Sequence, residues 1–253
     1  MGNLPAVIGG ILSFGLPELF RALSPQQRHQ YHAVEKELDS IKKETQAAKA
    51  ELQRIQAEGQ RLSEGDVATY QQNIENFYQR HLSAVARLPD PPPTVKFSAA
   101  FLGKTSTGKT TTINRLYGTQ ERTGPIPTTQ GVRAVYDDDI ITIFDVFGEN
   151  DEETYHHVEQ LMFAKTLHKI AVVYTESVDS VLNLARLCAA LRAPLIFFRN
   201  KCEGESPADL EIIRAHDTSR LERATQQRVH LVMGSAKTGM NLDEIRVALR
   251  PSG

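Results

Sequence analysis

Apolar residues early in the chain recur at steps of three and four. Tyr31, Val34, Leu38 and Ile41 lead into Thr45, Ala48, Leu52, Ile55, Gly59 and Leu62, a spacing that lines one face of a helix. Gln, Glu, Lys and Ala fill most remaining positions over 24–88, and all four favour helix. The seam weakens at Thr45, Ala48 and Gly59, and the segment Ser63-Glu64-Gly65-Asp66 is expected to break it. A second amphipathic stripe follows through Val67, Tyr70, Ile74, Phe77, His81, Val85 and Leu88. Two pairings fit this pattern: a fold-back helical hairpin, or a coiled coil with another chain. Opposite charges interleave on the polar faces, as solvated helix surfaces do.

Beyond Pro89-Asp90-Pro91-Pro92-Pro93, a stretch that cannot continue a helix, the periodicity changes. Short apolar runs predict strands over Val95–Leu102, Val132–Asp137, Ile140–Asp145, Ile170–Tyr174, Leu195–Arg199 and Val229–Met233. Helical patterns intervene at Lys109–Leu116, Glu152–Leu167, Ser180–Leu191, Ala208–Gln226 and Leu242–Leu249. Asn241, with Glu244 three residues on, suits a capping box for the last of these. Asp137-Asp138-Asp139 suits a hairpin turn, so the second strand should run antiparallel to the third. The fold expected is α/β: a mostly parallel six-stranded sheet with helices on both faces, preceded by an N-terminal α-helical region. Four regions follow, with an apolar segment 1–23, helices 24–88, a linker 89–94 and a sheet domain 95–253. Ligands should bind at the carboxyl ends of the strands.

Residues 1–23 are apolar and poor in charge, but Pro5, Gly9, Gly10, Gly15 and Pro17 weaken any spanning helix. Peripheral membrane contact or packing on an apolar patch of the same protein both fit. Met1-Gly2-Asn3-Leu4-Pro5-Ala6 approaches a myristoylation signal, yet Ala6 stands where Ser or Thr is needed. No basic region precedes this segment, so a cleavable signal peptide is not expected. A net charge of −2 gives no global basic field, and no nucleic-acid partner is expected. The two cysteines, Cys188 and Cys202, have no metal spacing and suit a reducing, cytoplasmic compartment.

The candidate chemistry begins at Gly103-Lys104-Thr105-Ser106-Thr107-Gly108-Lys109-Thr110, which fits G-x-x-x-x-G-K-[ST] between a strand and a helix. Small residues let successive N–H groups of Thr105, Ser106, Thr107 and Gly108 face a phosphate, and the helix N-terminus adds partial positive charge. Lys109 would reach the β- and γ-phosphates, Thr110 would sit on magnesium, and Thr111 completes the phosphate-contacting set. Asp145-Val146-Phe147-Gly148 closes a strand; Asp145 can hold magnesium through water, and the Gly148 N–H can approach the γ-phosphate. Pro127-Thr128-Thr129-Gln130-Gly131 lies between, where Thr128 or Thr129 could bring a hydroxyl to the metal. Asn200-Lys201-Cys202-Glu203 and Ser235-Ala236-Lys237 each follow a predicted strand. A carboxylate at Glu203 can accept from guanine N1–H and N2–H₂ together, the Lys201 stem can cover the base, and the Ala236 N–H can reach O6.

This ordered set resembles the phosphate-loop, D-x-x-G, N-K-x-D and S-A-K elements of P-loop GTP-binding domains of the translation-factor-related class, in the style of Era, septin and immunity-related GTPases. The resemblance covers Thr94 to Gly253 and implies GTP or GDP with Mg²⁺ as ligands. Two positions depart from it. Glu203 replaces aspartate, which implies guanine preference with reduced affinity. Glu149 stands where relatives have a water-orienting glutamine, which implies turnover of about 10⁻⁴ s⁻¹ or below without a partner. His156 and His157 beyond it read as solvated helix residues. The function implied is a GTP-binding switch with slow hydrolysis, using Lys109, Thr129, Gly148 and Glu149 catalytically. Alternatives are a nucleotide-binding scaffold without turnover, or a P-loop ATPase with relaxed base specificity. A homodimer through the nucleotide domain or the heptad helices is compatible with either reading.

Overall fold

The computed structural model describes residues 22–57, 64–90, 96–121, 132–146 and 158–251. Two compact units emerge, one of them Leu23–Pro89 and the other including Asp90–Gly253. No described helix is long and apolar enough to cross a membrane.

The helical unit holds α1 (Pro25–Ala57) and α2 (Glu64–Ala86). Ser24 and Gln27 form a reciprocal cap at the start of α1: the Gln27 N–H donates to Ser24 Oγ (3.2 Å), and the Ser24 N–H donates to Gln27 Oε1 (2.9 Å). Tyr31, Val34, Leu38 and Ile41 are buried, as are His81, Ala84, Val85 and Leu88. Arg87 pairs with Glu37 (2.6 Å) and Arg80 with Glu44 (2.7 Å). One pairing steps forward along α1 as the other steps back along α2, so the helices are antiparallel and form a hairpin. The expected break at Ser63-Glu64-Gly65-Asp66 is displaced, because Glu64, Gly65 and Asp66 already belong to the first turn of α2. That turn has no intrahelical acceptors for its N–H groups in any sequence, so poor helix formers are tolerated there. The Thr69 hydroxyl donates to the Gly65 carbonyl (2.8 Å), confirming the turn.

The other unit runs β1 (Phe97–Leu102), α3 (Lys109–Tyr117), β2 (Val132–Asp137), β3 (Ile141–Val146) and α4 (Val158–Thr166). It continues with β4 (Lys169–Tyr174), a 3₁₀ turn (Val178–Val181), α5 (Leu182–Ala190), β5 (Leu195–Arg199), α6 (Pro207–Thr225), β6 (His230–Met233) and α7 (Leu242–Ala248). The strands form one sheet in the order β2-β3-β1-β4-β5-β6. Only β2 is antiparallel, paired with β3 through a register shift between Ala134 and Tyr136. Alternate side chains divide two cores. Phe101, Ile143, Val173, Phe198 and Val232 face Ile113, Leu116, Leu242, Ile245 and Leu249 of α3 and α7. On the opposite face Leu102 and Val146 line one cavity with Leu161, Leu184, Leu187 and Cys188 of α4 and α5, and Phe163 packs edge-on to Phe144. Each large side chain so buried contributes about 1.5–3 kcal/mol.

Three local expectations change. Ile140 lies in the β2–β3 turn, 65% exposed, rather than opening the strand. The carboxylate of Asp138 claims it: Oδ1 accepts the N–H groups of Ile140 and Ile141, both at 2.8 Å. Those backbone donors, with the Tyr136 hydroxyl, hold the Asp138 carboxyl below the usual range. The Ser180–Leu191 helix begins as a 3₁₀ turn capped by Ser177 Oγ. Asn241 makes no side-chain cap; its backbone is left-handed (φ 57°), its amide donates to the Met233 carbonyl, and Glu244 meets His230 instead.

Candidate functional site

Every described motif lies at the carboxyl edge of the sheet. The loop 103–108 follows β1, Asp145 sits near the end of β3, Asn200 follows β5, and Ser235 comes just after β6. The parallel order brings these segments together although they are far apart in sequence.

The phosphate loop needs its glycines. Gly103 has φ 145°, and a Cβ there would lie 2.1 Å from the Val173 carbonyl oxygen. Gly108 has φ 88°, with Asn200 Nδ2 only 2.3 Å from where a Cβ would stand. Ser106 also adopts the left-handed region (φ 67°), an uncommon conformation for a residue with a side chain. The Lys109 ammonium is drawn to the centre of the loop, donating to the carbonyls of Gly103 (2.8 Å) and Lys104 (3.0 Å). Burial pushes the Lys109 pKa down, although the nearby Asp145 charge favours the cation. The Thr107 hydroxyl closes the turn on the Lys104 carbonyl (2.9 Å), and the Thr112 hydroxyl reaches the Gly108 carbonyl (2.8 Å). Thr111 points outward at the exposed surface of α3.

Thr110 and Asp145 come together across 35 residues, the hydroxyl donating to Asp145 Oδ2 at 2.6 Å. Two hard oxygen ligands beside a phosphate loop are a donor set suited to magnesium, which takes few protein ligands and completes its shell with phosphate and water. No cluster of three or more His, Cys, Asp or Glu occurs among the described residues, so nothing competes as an all-protein metal cage there.

Asn200 joins the loop to the rest of the edge. Its Nδ2 donates to the Thr107 carbonyl (2.8 Å), its Oδ1 accepts the Ala236 N–H (2.8 Å), and its own N–H donates to the Tyr174 carbonyl (2.8 Å). Lys201 follows in the left-handed region, with φ 65°. Glu203 is exposed, and the Ser235 hydroxyl, the Glu203 N–H and the nearby Lys237 and Lys201 hold its carboxyl below the usual range. Thus Asn200, Lys201, Glu203, Ser235, Ala236 and Lys237 converge. Cys202 is buried beside them, its thiol pushed up chiefly by that burial, and its N–H is tied to the Gly234 carbonyl (3.0 Å). Thr128, Thr129, Gly148, Glu149, His156 and His157 lie outside the described residues.

Residues 98–201 match the family model described as 50S ribosome-binding GTPase. Over those residues the chain matches a GTP-binding domain of the P-loop GTPase family. The family match ends at Lys201, so Glu203 and the 235–237 segment lie beyond it. No curated protein matches the sequence. Among solved structures, a probable GTP-binding protein engB shares 17% identity, with a TM-score of 0.45 over 59% of this chain and 95% of that one. The apo translation elongation factor SelB of Methanococcus maripaludis shares 15%, with a TM-score of 0.44 over 62% of this chain and 33% of its own. A bacterial selenocysteine-specific elongation factor EF-Sec shares 17%, with a TM-score of 0.48 over 62% of this chain and 28% of its own. The chain thus spans no more than about a third of these elongation factors.

The edge also contains residues that motif reading does not mark. Tyr174 and Arg199 end β4 and β5 beside Asn200, and both reach Asp217 of α6. Tyr174 is marked in sequence only as the end of an apolar run, and Asp217 is one acid within a highly charged helix.

Proposed function

We propose that this protein is a guanine-nucleotide switch that binds GTP with magnesium and hydrolyses it slowly. The observation that carries the reading is the double bridge made by Asn200. One buried amide ties the phosphate loop at Thr107 to the Ala236 N–H, so the phosphate and base ends share a single support. The exposed Glu203 carboxyl, its pKa lowered by the Ser235 hydroxyl and by two nearby lysines, would accept from guanine N1–H and N2–H₂. Adenine presents no such pair of donors.

In this reading the N–H groups of 105–108 and the Lys109 ammonium hold the β- and γ-phosphates. Thr110 and Asp145 would hold magnesium, which when bound neutralises charge on the transferring phosphoryl group. Thr129 (or Thr128) and the Gly148 N–H would meet the γ-phosphate, so their segments would be ordered only in the triphosphate state. At the position after Gly148, the Glu149 carboxylate would be repelled by an anionic phosphate and would orient water poorly, so slow turnover is expected. Residues 1–23 and the α1–α2 hairpin would pass the nucleotide state to a partner or a membrane surface.

Competition against bound fluorescent GTP tests the base, and phosphate release in single turnover tests the chemistry. GDP should displace the probe at least about tenfold better than ATP does, and release should proceed at about 10⁻⁴ s⁻¹ or slower. Equal displacement by ATP overturns the guanine assignment. Binding with no phosphate release over days removes the hydrolytic step and leaves a scaffold.

A further inference from the structure

Asp217 is nearly inaccessible, with 2% of its side chain exposed, yet it is charged and lies outside every nucleotide motif. Its Oδ2 accepts from the Tyr174 hydroxyl and from Arg199 Nη1, each at 2.8 Å, while Oδ1 meets His216 Nδ1 at 3.0 Å. Tyr174 and Arg199 are register partners at the last rung between β4 and β5. The Arg199 guanidinium also lies 6.0 Å from the Tyr174 ring centroid. Burial is the largest single influence and works against the Arg199 charge, but the bond to Asp217, the Asp217 charge and the neighbouring Tyr174 and Cys202 together raise the pKa.

These two residues flank the pivot of the site. Asn200 is peptide-bonded to Arg199, and its N–H is held by the Tyr174 carbonyl. The backbone that aims the Asn200 amide is therefore fixed from both sides by groups that converge on one carboxylate. A buried ion pair is a costly way to fasten a helix to a sheet, and well-packed apolar residues often do that as well or better. Orientation of a neighbouring polar group is what directed bonds add and apolar packing does not.

We infer that Asp217 is a positioning residue for base recognition: through Tyr174 and Arg199 it sets the Asn200 amide that links Thr107 to Ala236, and so fixes the guanine end against the phosphate end. This rests on the guanine reading proposed above. The Asp217 carboxylate touches neither base nor phosphate in that reading, so its loss should change discrimination among bases more than phosphate holding.

Affinities of GDP and ADP, both with magnesium, are measured for wild type, Asp217→Asn and Tyr174→Phe, alongside melting curves. Tyr174→Phe removes one hydroxyl, keeps the Arg199–Asp217 pair, and carries the test should Asp217→Asn fail to fold. The GDP-over-ADP preference should fall about tenfold in Asp217→Asn and about threefold in Tyr174→Phe, through GDP binding weakened more than ADP binding. A preference that survives in the folded variants overturns the inference, as does an equal loss for both nucleotides. A wild-type chain that holds ADP as well as GDP overturns the guanine reading itself, and this inference with it.

Discussion

The two ends of the candidate site are built in opposite ways. The phosphate end is one continuous loop, shaped by backbone: Gly103 and Gly108 at positive φ, Ser106 strained beside them, and Lys109 folded onto the loop carbonyls. The base end is assembled from separate segments by side chains, with Asn200 and Glu203 from the loop after β5, Ser235 from the loop after β6 and Asp217 from α6. Backbone shape tolerates almost no substitution but is indifferent to the base. Side-chain assembly can be adjusted by degrees, and in the proposed function the base is what it would read.

The sharpest break in that contrast is Asn200→Ala, because Asn200 belongs to both ends. The Thr107 carbonyl and the Ala236 N–H would each lose a buried partner, at about 1–3 kcal/mol apiece. Denaturant unfolding should show a loss of that size, and affinity for every nucleotide should fall more than about 100-fold. Retained binding would separate the two ends after all. Lys109→Ala confines the damage to the phosphate end. Calorimetry should record a fall of about 100-fold for GDP and ADP alike, since a charge-assisted contact to phosphate is lost whichever base is attached. Selective loss of GDP would contradict the division of labour. Glu203→Asp is the mildest change and acts on the base end alone. It should tighten GTP by about threefold to tenfold and leave ATP unchanged; no change in displacement assays would mean that the carboxylate does not touch the base.

The same contrast decides what could be read from sequence. The loop 103–110 was legible because its chemistry is contiguous and sits between a strand and a helix. The strands were legible because each is a short apolar run, and the antiparallel β2 followed from the aspartates of its turn. The N-K-C-E and S-A-K segments were legible as motifs, but the bonds that bring them together were not. Asn200 to Thr107 spans 93 residues, and Tyr174 to Asp217 spans 43; no local pattern encodes either contact. The capping box at Asn241 misled for a related reason. Its side chain is taken by the Met233 carbonyl at the end of β6, so a tertiary acceptor displaced a local one. In the hairpin the apolar stripe was plain, whereas its antiparallel pairing rests on Glu37–Arg87 and Glu44–Arg80, contacts between distant turns.

A crystal structure of the chain with a non-hydrolysable GTP analogue and magnesium tests the central claim most directly. The account predicts the triphosphate enclosed by residues 103–110 with the Lys109 ammonium turned to it, and the Glu203 carboxylate bonded to guanine N1 and N2. Nucleotide absent from that loop, or a guanine edge that Glu203 does not meet, would contradict it.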